Sequence, residues 1–243
     1  IGDSSAYAAV CSATPRFEPS FFPLTCDYRE KTQAAGKIPG GFFKREGRPT
    51  TKEILTMRLI DRSIRPMFAE GYMDEVQVMT HALGYDGVNN TDIAAMIGAF
   101  TAVRLAGLPF ETTLGATRIG MVDGQLQAFC TDSDLRNNSS LNLVVAGHND
   151  GIAMVEASAD ELSEAEMIDA LELAHSVIKE VISLANELVD AVGVGLLQRT
   201  VRAYWYARDE LEQRLRRQRD QPDLLREVRG ERLPVARLEA RRR

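Results

Sequence analysis

No apolar run in the 243 residues approaches the roughly 18 consecutive residues a helix needs to cross a bilayer, so a helical membrane span is excluded. No signal peptide is visible. Cysteine is scarce: Cys11, Cys26 and Cys130 stand far apart without metal-ligand spacing. They read as buried or free thiols of a reducing compartment, not as a disulfide or zinc framework. Histidine constellations are also wanting. His81 falls in a strand pattern and His175 lies beside the apolar stripe of a helix, so both read as packed residues. His148 is a turn residue near Asp150 with no nucleophile or third group beside it, which makes it a surface turn. An excess of positive charge is missing too, since 35 Asp and Glu outnumber 29 Lys and Arg for a net charge of −6. That sum would argue against a nucleic-acid ligand if charge were evenly spread. It is not: cations gather at 44–65 and again after 199, while 150–187 is acidic, so the local field matters more than the total. At 44% hydrophobic and 26% charged residues, the chain has the makings of an ordinary globular protein, with ample core for one large domain or two small ones.

What is present concentrates in residues 36–66. Pro39-Gly40-Gly41 is a strong turn signal, because proline presets φ and glycine accepts positive φ without a clash. Gly47 and Pro49 punctuate the far side, so a loop of about ten residues displays Phe42, Phe43, Lys44, Arg45 and Arg48. Aromatics interleaved with cations offer single-stranded nucleic acid both a stacking surface and phosphate partners. Thr50 and Glu53 stand in the capping-box relation, which predicts a helix starting there and ending before Pro66. Within it Arg58, Arg62 and Arg65 share one face, and Ile54, Met57, Ile60 and Ile64 form an apolar stripe toward a core. Planar, permanently charged guanidinium groups suit phosphate, so loop and helix together could form one anion-binding track. The residues alone also allow the plainer alternative: a Phe-Phe pair inside a core, and a solvated arginine face in which Asp61 pairs with Arg65 or Arg58.

The rest of the chain alternates strands and helices. Strands are expected in the short apolar run that residues 1–6 lead into and that ends near Ala13, over 21–28 and over 75–83, with 14–20 as a connection. Asp27, Arg29, Glu30 and Lys31 read as surface. Asp86-Gly87 marks a turn, and Asn90 or Thr91 caps a helix over 92–105 closed by Gly107. Its small residues Ala94, Ala95, Gly98, Ala99 and Ala102 point to close packing. Asp123-Gly124 between 117–122 and 125–129 is a strong hairpin signal. A second hairpin joins 141–146 to 152–157. Ser163 and Glu166 form another capping box, opening a helix to about Ala191 with Met167, Leu171, Ala174, Ile178 and Ile182 at helical spacing. Gly193 and Gly195 mark a boundary between a domain at 1–193 and a segment at 194–243. That segment contains no lysine and many arginines, with a helix allowed over 197–219 and Pro222 as its breaker. It reads equally as a divergent helical segment, a basic arm or an artefactual end. The predicted class is α/β (α+β), with one sheet packed against helices on one face.

The run GKIPGGFFKREGRPTTKEILTMRLIDRSIRPMF, followed in order by DEVQV, DIAAMIGA, LPF, GATRIGMVDGQL, LNLVVAG and MVEASADELSEAEM, resembles the first RNase PH-type domain of the polynucleotide phosphorylase family. The resemblance covers most of residues 1 to about 193. It implies the RNase PH-type fold, related to the second domain of ribosomal protein S5, and an N-terminally truncated fragment whose tail begins the family's helical linker. Members are homotrimers with a central channel that degrade mRNA from its 3′ end. Inorganic phosphate is the co-substrate and nucleoside diphosphates the products, in a reversible reaction that uses Mg2+. The family places its phosphate site and metal-binding carboxylates mainly in a second RNase PH-type domain, so the resemblance assigns no catalytic residue and no metal ligand here. It assigns RNA binding to Phe42, Phe43, Lys44, Arg45 and Arg48, which match the aromatic-basic loop at the channel entrance, and extends it to Arg58, Arg62 and Arg65 on the following helix. Lys44 departs from the arginine often found there, keeping the charge and losing the planar fork. The implied partners are single-stranded RNA, two further copies of the chain and components of an RNA-degradation complex, with no membrane. The implied compartment is cytoplasmic, with mitochondrial as the alternative. The competing reading is a non-catalytic RNA-binding or scaffold subunit of an exosome-like ring.

Overall fold

The computed structural model describes residues 1–192 apart from Glu18 and Glu111. The expected helix at 197–219 and the Arg-rich extension at 194–243 lie outside the described residues. Of the two units into which the chain divides, Ile1–Gln198 and Arg199–Arg243, the account below concerns the first.

Three strands open the fold: β1 (Ser5–Ala13), β2 (Leu24–Arg29) and β3 (Glu75–Gly84), in the order β1-β3-β2. β1 runs antiparallel to β3, and β2 runs parallel to it. A parallel pair requires a long crossover, and helix α1 (Thr51–Ile64) lies within it and packs on β2. The Thr50 hydroxyl accepts the Glu53 amide at 3.2 Å, and Glu53 Oε2 accepts the Thr50 amide at 2.6 Å, so the expected capping box is formed. The helix gives way at Pro66 to a single 3-10 turn, Arg65–Met67.

The expected apolar stripe of α1 needs correction. Ile60 and Ile64 are fully buried, yet Ile54 is 46% exposed and Leu55 51%. The inward face instead runs Glu53, Thr56, Ile60, Ser63, Ile64, about one residue out of phase with Ile54. Polar residues are tolerated there because the hydroxyls of Thr56 and Ser63 donate back to the carbonyls of Lys52 (3.0 Å) and Leu59 (2.8 Å). Glu53 is satisfied by amides. Glu30, expected to be plain surface, accepts the Tyr28 hydroxyl at 2.7 Å and pairs with Lys52 at 2.9 Å.

Helix α2 (Thr91–Leu105) packs on β1 and β3. Asp86 prepares its entry by accepting the amides of Val88 (2.8 Å) and Asn89 (2.7 Å), and those donors, Asn89 foremost, hold its carboxyl well below the usual carboxylate range. Asn90 stands at the N-cap position but does not cap with its side chain. Its amide bridges Lys52 and Asp132 instead, at 2.9 Å each.

A second sheet follows: β4 (Gly115–Val122), β5 (Gln125–Ala128), β6 (Ser139–His148) and β7 (Gly151–Ala159), antiparallel throughout in the order β5-β4-β6-β7. Asp123 (φ 51°) and Gly124 (φ 75°) supply the two left-handed residues of the tight hairpin that the sequence announces. Between β5 and β6 lies a short helix that the sequence reading missed, α3 (Asp132–Asn137), capped by the Thr131 hydroxyl accepting the Asp134 amide at 3.1 Å. Helix α4 (Glu164–Val192) packs on β4 and β6. There Ile119, Leu141, Leu143 and Val145 meet Ala170, Ala174, Ile178 and Ile182.

The α/β class thus holds, whereas a single sheet with helices on one face does not. Two sheets are present among the described residues, and α2 touches β4 and α4 as well as β1 and β3. A helix contacted from several directions must be apolar nearly all round and slim. Ala95 and Ala99 are accordingly buried without exposure, and a Cβ on Gly98 would stand 3.3 Å from that of Ala8.

Candidate nucleic-acid interface

The loop between β2 and α1 is held at its base and open at its tip. A 3-10 turn, Thr32–Ala35, ends at Gly36 in the left-handed conformation, and the Ala34 carbonyl accepts the Tyr85 amide at 2.9 Å, which ties the turn to the end of β3. The Lys37 amide returns to the Thr32 carbonyl at 3.1 Å. From the other side, Glu46 Oε1 accepts the Thr32 amide at 2.9 Å and the Thr32 hydroxyl at 2.8 Å. Between these ties the chain reverses through Gly41 (φ 77°) and Lys44 (φ 49°), the latter a left-handed backbone that costs a side-chain-bearing residue energy.

At the tip Phe42 is 94% exposed and Phe43 81%. Their rings sit edge to face, 5.5 Å apart at 85°. The core alternative for this pair is therefore ruled out. Lys44, Arg45 and Arg48 are exposed as well, and none forms an ion pair or side-chain hydrogen bond among the described residues. Ile38, in the same loop, is 81% exposed and went unremarked in the sequence. Two ring faces and three uncommitted cations on a tethered loop can stack bases and neutralise phosphates at once.

The three helix arginines meet different fates. Arg58 is exposed and unpaired among the described residues. Arg62 is half-exposed and pairs with Glu156 of β7 at 2.6 Å. Arg65 is committed to the protein. It grips Asp61 through two bonds of 2.9 and 2.6 Å, donates to the carbonyls of Phe22 (3.0 Å) and Leu24 (3.3 Å), and lies 5.7 Å over the Phe22 ring. Its affinity for its proton is raised, chiefly by the Asp61 hydrogen bond. The one-face reading of 58, 62 and 65 therefore leaves one free guanidinium, one shared and one used to fasten α1 to β2. No hydrogen bond, ion pair or ring contact joins the loop tip to these arginines among the described residues.

Glu53 anchors the junction of loop and helix. Burial pushes its carboxyl up, but the amides of Thr50 and Glu30 and the Thr50 hydroxyl outweigh that and hold it below its ordinary value. Elsewhere, Asp92 in the first turn of α2 forms a bidentate buried pair with Arg118 of β4 at 2.9 and 3.2 Å. All three cysteines are free, and burial pushes the Cys26 thiol up to about 12. His81 rests against Tyr7, and His175 Nε2 lies 3.1 Å from the His148 carbonyl. Among the described residues no three of His, Cys, Asp and Glu stand together as a metal site.

The fold is mixed α/β, and its loop between β2 and α1 displays two rings and three cations. Two models of one family match consecutive stretches: 3′ exoribonuclease family, domain 1, over residues 1–109, and domain 2 over 112–177. Their junction falls between α2 and β4, where the first sheet hands over to the second. The chain belongs to the 3′ exoribonuclease, or RNase PH, family. It is similar to the polyribonucleotide nucleotidyltransferase of Rhodopirellula baltica, 47% identical over 84% of this chain and 28% of that protein. The enzymes of the same name from Rhodospirillum rubrum and Alkaliphilus oremlandii are each 48% identical, over 77% and 76% of this chain and 27% and 26% of theirs. The chain thus spans about a quarter of the length of these relatives.

Proposed function

We propose that this chain is the first RNase PH-type domain of a polyribonucleotide nucleotidyltransferase, and that its part in the reaction is to grip and guide single-stranded RNA. In that reaction an oxygen of inorganic phosphate attacks the phosphorus of the 3′-terminal linkage. The 3′ oxygen of the preceding nucleotide leaves, giving a nucleoside diphosphate and an RNA one residue shorter. Phe42 and Phe43 stack bases, while Lys44, Arg45 and Arg48 meet phosphates. Arg58 extends the track along α1, with Arg62 available to the extent that Glu156 releases it. Arg65, spent on Asp61 and two carbonyls, acts by fixing the helix. We assign no general acid or base within this chain, and neither Mg2+ nor inorganic phosphate is given ligands in it. A homotrimeric ring with the loops facing a shared channel, association with an RNA-degradation complex, mRNA as the substrate and a cytoplasmic setting belong to the same proposal. No described helix is long and apolar enough to cross a membrane.

The observation that carries the reading is the near-complete exposure of two adjacent phenylalanines beside cations that no group among the described residues engages. Burying such rings is worth about 1.5–3 kcal/mol each, so leaving both in water on a tethered loop calls for a partner. Lys44→Ala with Arg45→Ala should weaken single-stranded RNA binding and flatten its salt dependence. Unchanged affinity at low salt refutes the loop's role. Phosphate-dependent release of nucleoside diphosphates from poly(A) by this chain alone would refute the assignment of the chemistry to other parts of the enzyme.

A further inference from the structure

The cationic loop contains one acid, Glu46, and its carboxylate does not serve the cations beside it. Lys44, Arg45 and Arg48 are unpaired among the described residues, whereas Glu46 Oε1 takes both donors of Thr32, the amide at 2.9 Å and the hydroxyl at 2.8 Å. Among the described residues these are the side-chain hydrogen bonds made from 38 to 49. Thr32 is itself well placed to bear the load. Its carbonyl receives the Lys37 amide at 3.1 Å, and its 3-10 turn is tied to the end of β3 through Ala34 and Tyr85 at 2.9 Å. The loop's two ends are thus drawn to one residue that is anchored to the sheet.

We propose that Glu46 is a positioning residue: a carboxylate staple that closes the base of the loop on Thr32 and holds the aromatic-basic tip in the arrangement that takes up single-stranded RNA. This rests on the RNA-binding reading of the loop. The proposal fixes the sign of an effect that simple electrostatics gets backwards. Removing a negative charge from a loop that meets phosphates should strengthen binding if charge is all that Glu46 contributes. Removing a staple should weaken it, because the competent arrangement is then populated for less of the time.

Two substitutions separate acceptor from charge. Glu46→Gln drops the charge and keeps an oxygen that can accept from Thr32; Glu46→Ala drops both. Binding of a fluorescein-labelled oligo(A) of twenty nucleotides to the full chain is measured by anisotropy at one fixed salt concentration. In parallel, trypsin cleavage after Lys44 and Arg45 reports how freely the tip moves. Glu46→Gln is expected to bind at least as tightly as wild type and to be cut at the wild-type rate. Glu46→Ala is expected to bind about three- to tenfold more weakly and to be cut faster. Thr32→Val, which keeps the amide and loses the hydroxyl, should fall between them. Equal or tighter binding by Glu46→Ala, or an equal loss in Glu46→Gln, overturns the staple. The Lys44→Ala, Arg45→Ala variant is run beside them. If that variant binds RNA as well as wild type, the RNA reading fails, and the staple then stands or falls on cleavage alone: equal rates for wild type and Glu46→Ala refute it.

Discussion

The pair formed by Asp92 and Arg118 should be the most sensitive polar contact of the fold, and its two halves should not be equivalent. The side chains are 6% and 10% exposed, and the two bonds of 2.9 and 3.2 Å are parallel, so neither charge is compensated by water. Arg118 Nε is already buried with no hydrogen-bond partner among the described residues, which leaves Asp92 as the main compensation for that guanidinium. Asp92→Ala therefore strands a buried cation, at a cost of about 3–5 kcal/mol. Arg118→Ala strands an anion instead, but that anion stands in the first turn of α2 and keeps the Ile93 amide at 2.8 Å. A carboxylate at a helix N-terminus recovers about 0.3–2 kcal/mol, so this second variant should lose visibly less. For a domain of this size each kcal/mol lowers the melting temperature by about 2–4 °C, which puts Asp92→Ala on the order of 10 °C below wild type. Replacing both residues together, Asp92→Leu with Arg118→Met, removes both charges and should be milder than Asp92→Ala alone. Urea unfolding followed by far-ultraviolet circular dichroism gives the free energies of wild type and the three variants. A loss under about 1 kcal/mol for Asp92→Ala, or a double variant at least as unstable as Asp92→Ala, would refute the reasoning.

Two further predictions concern the loop and its junction. Phe42→Ala and Phe43→Ala should leave unfolding free energy within about 0.5 kcal/mol of wild type, since both rings are in solvent, while each weakens oligo(A) binding by about 1–3 kcal/mol, or roughly five- to 150-fold. A matched fall in stability would mean the rings serve the fold. Glu53 should make stability depend on pH. Because its carboxyl is held below the ordinary value in the folded chain, its contribution is present in full above the unfolded carboxylate range and fades as pH falls through the folded value. The stability gap between wild type and Glu53→Gln should therefore be wide at pH 7 and narrow at pH 3; a gap of constant width would show that ionisation of Glu53 is not involved.

What the sequence disclosed was what neighbouring residues decide among themselves. Both capping boxes, Thr50 with Glu53 and Ser163 with Glu166, close within three residues and formed as expected. The Asp123-Gly124 hairpin is equally local. Ile54 was misjudged because a regular apolar spacing was available one step from the true inward face, and that face hides its polarity in hydroxyls bonded to their own helix. The division into two sheets was illegible for another reason. β2 finds β3 across the whole crossover, and no local pattern distinguishes one sheet of seven strands from sheets of three and four.

The same contrast governs the candidate site. Clustered cations in a sequence announce a field, yet whether each is available depends on partners that only the fold brings near. Arg65 is claimed by carbonyls 41 and 43 residues away, and Arg62 by a carboxylate 94 residues away. The loop cations escape such claims because the one acid among them is drawn off to Thr32, 14 residues back. An acid in a basic loop would ordinarily be counted as a loss of affinity for phosphate. Here that acid bonds Thr32 at the base instead of pairing with the cations of the tip, so under the proposal above the residue that lowers the loop's formal charge is also the one that holds the tip for its ligand.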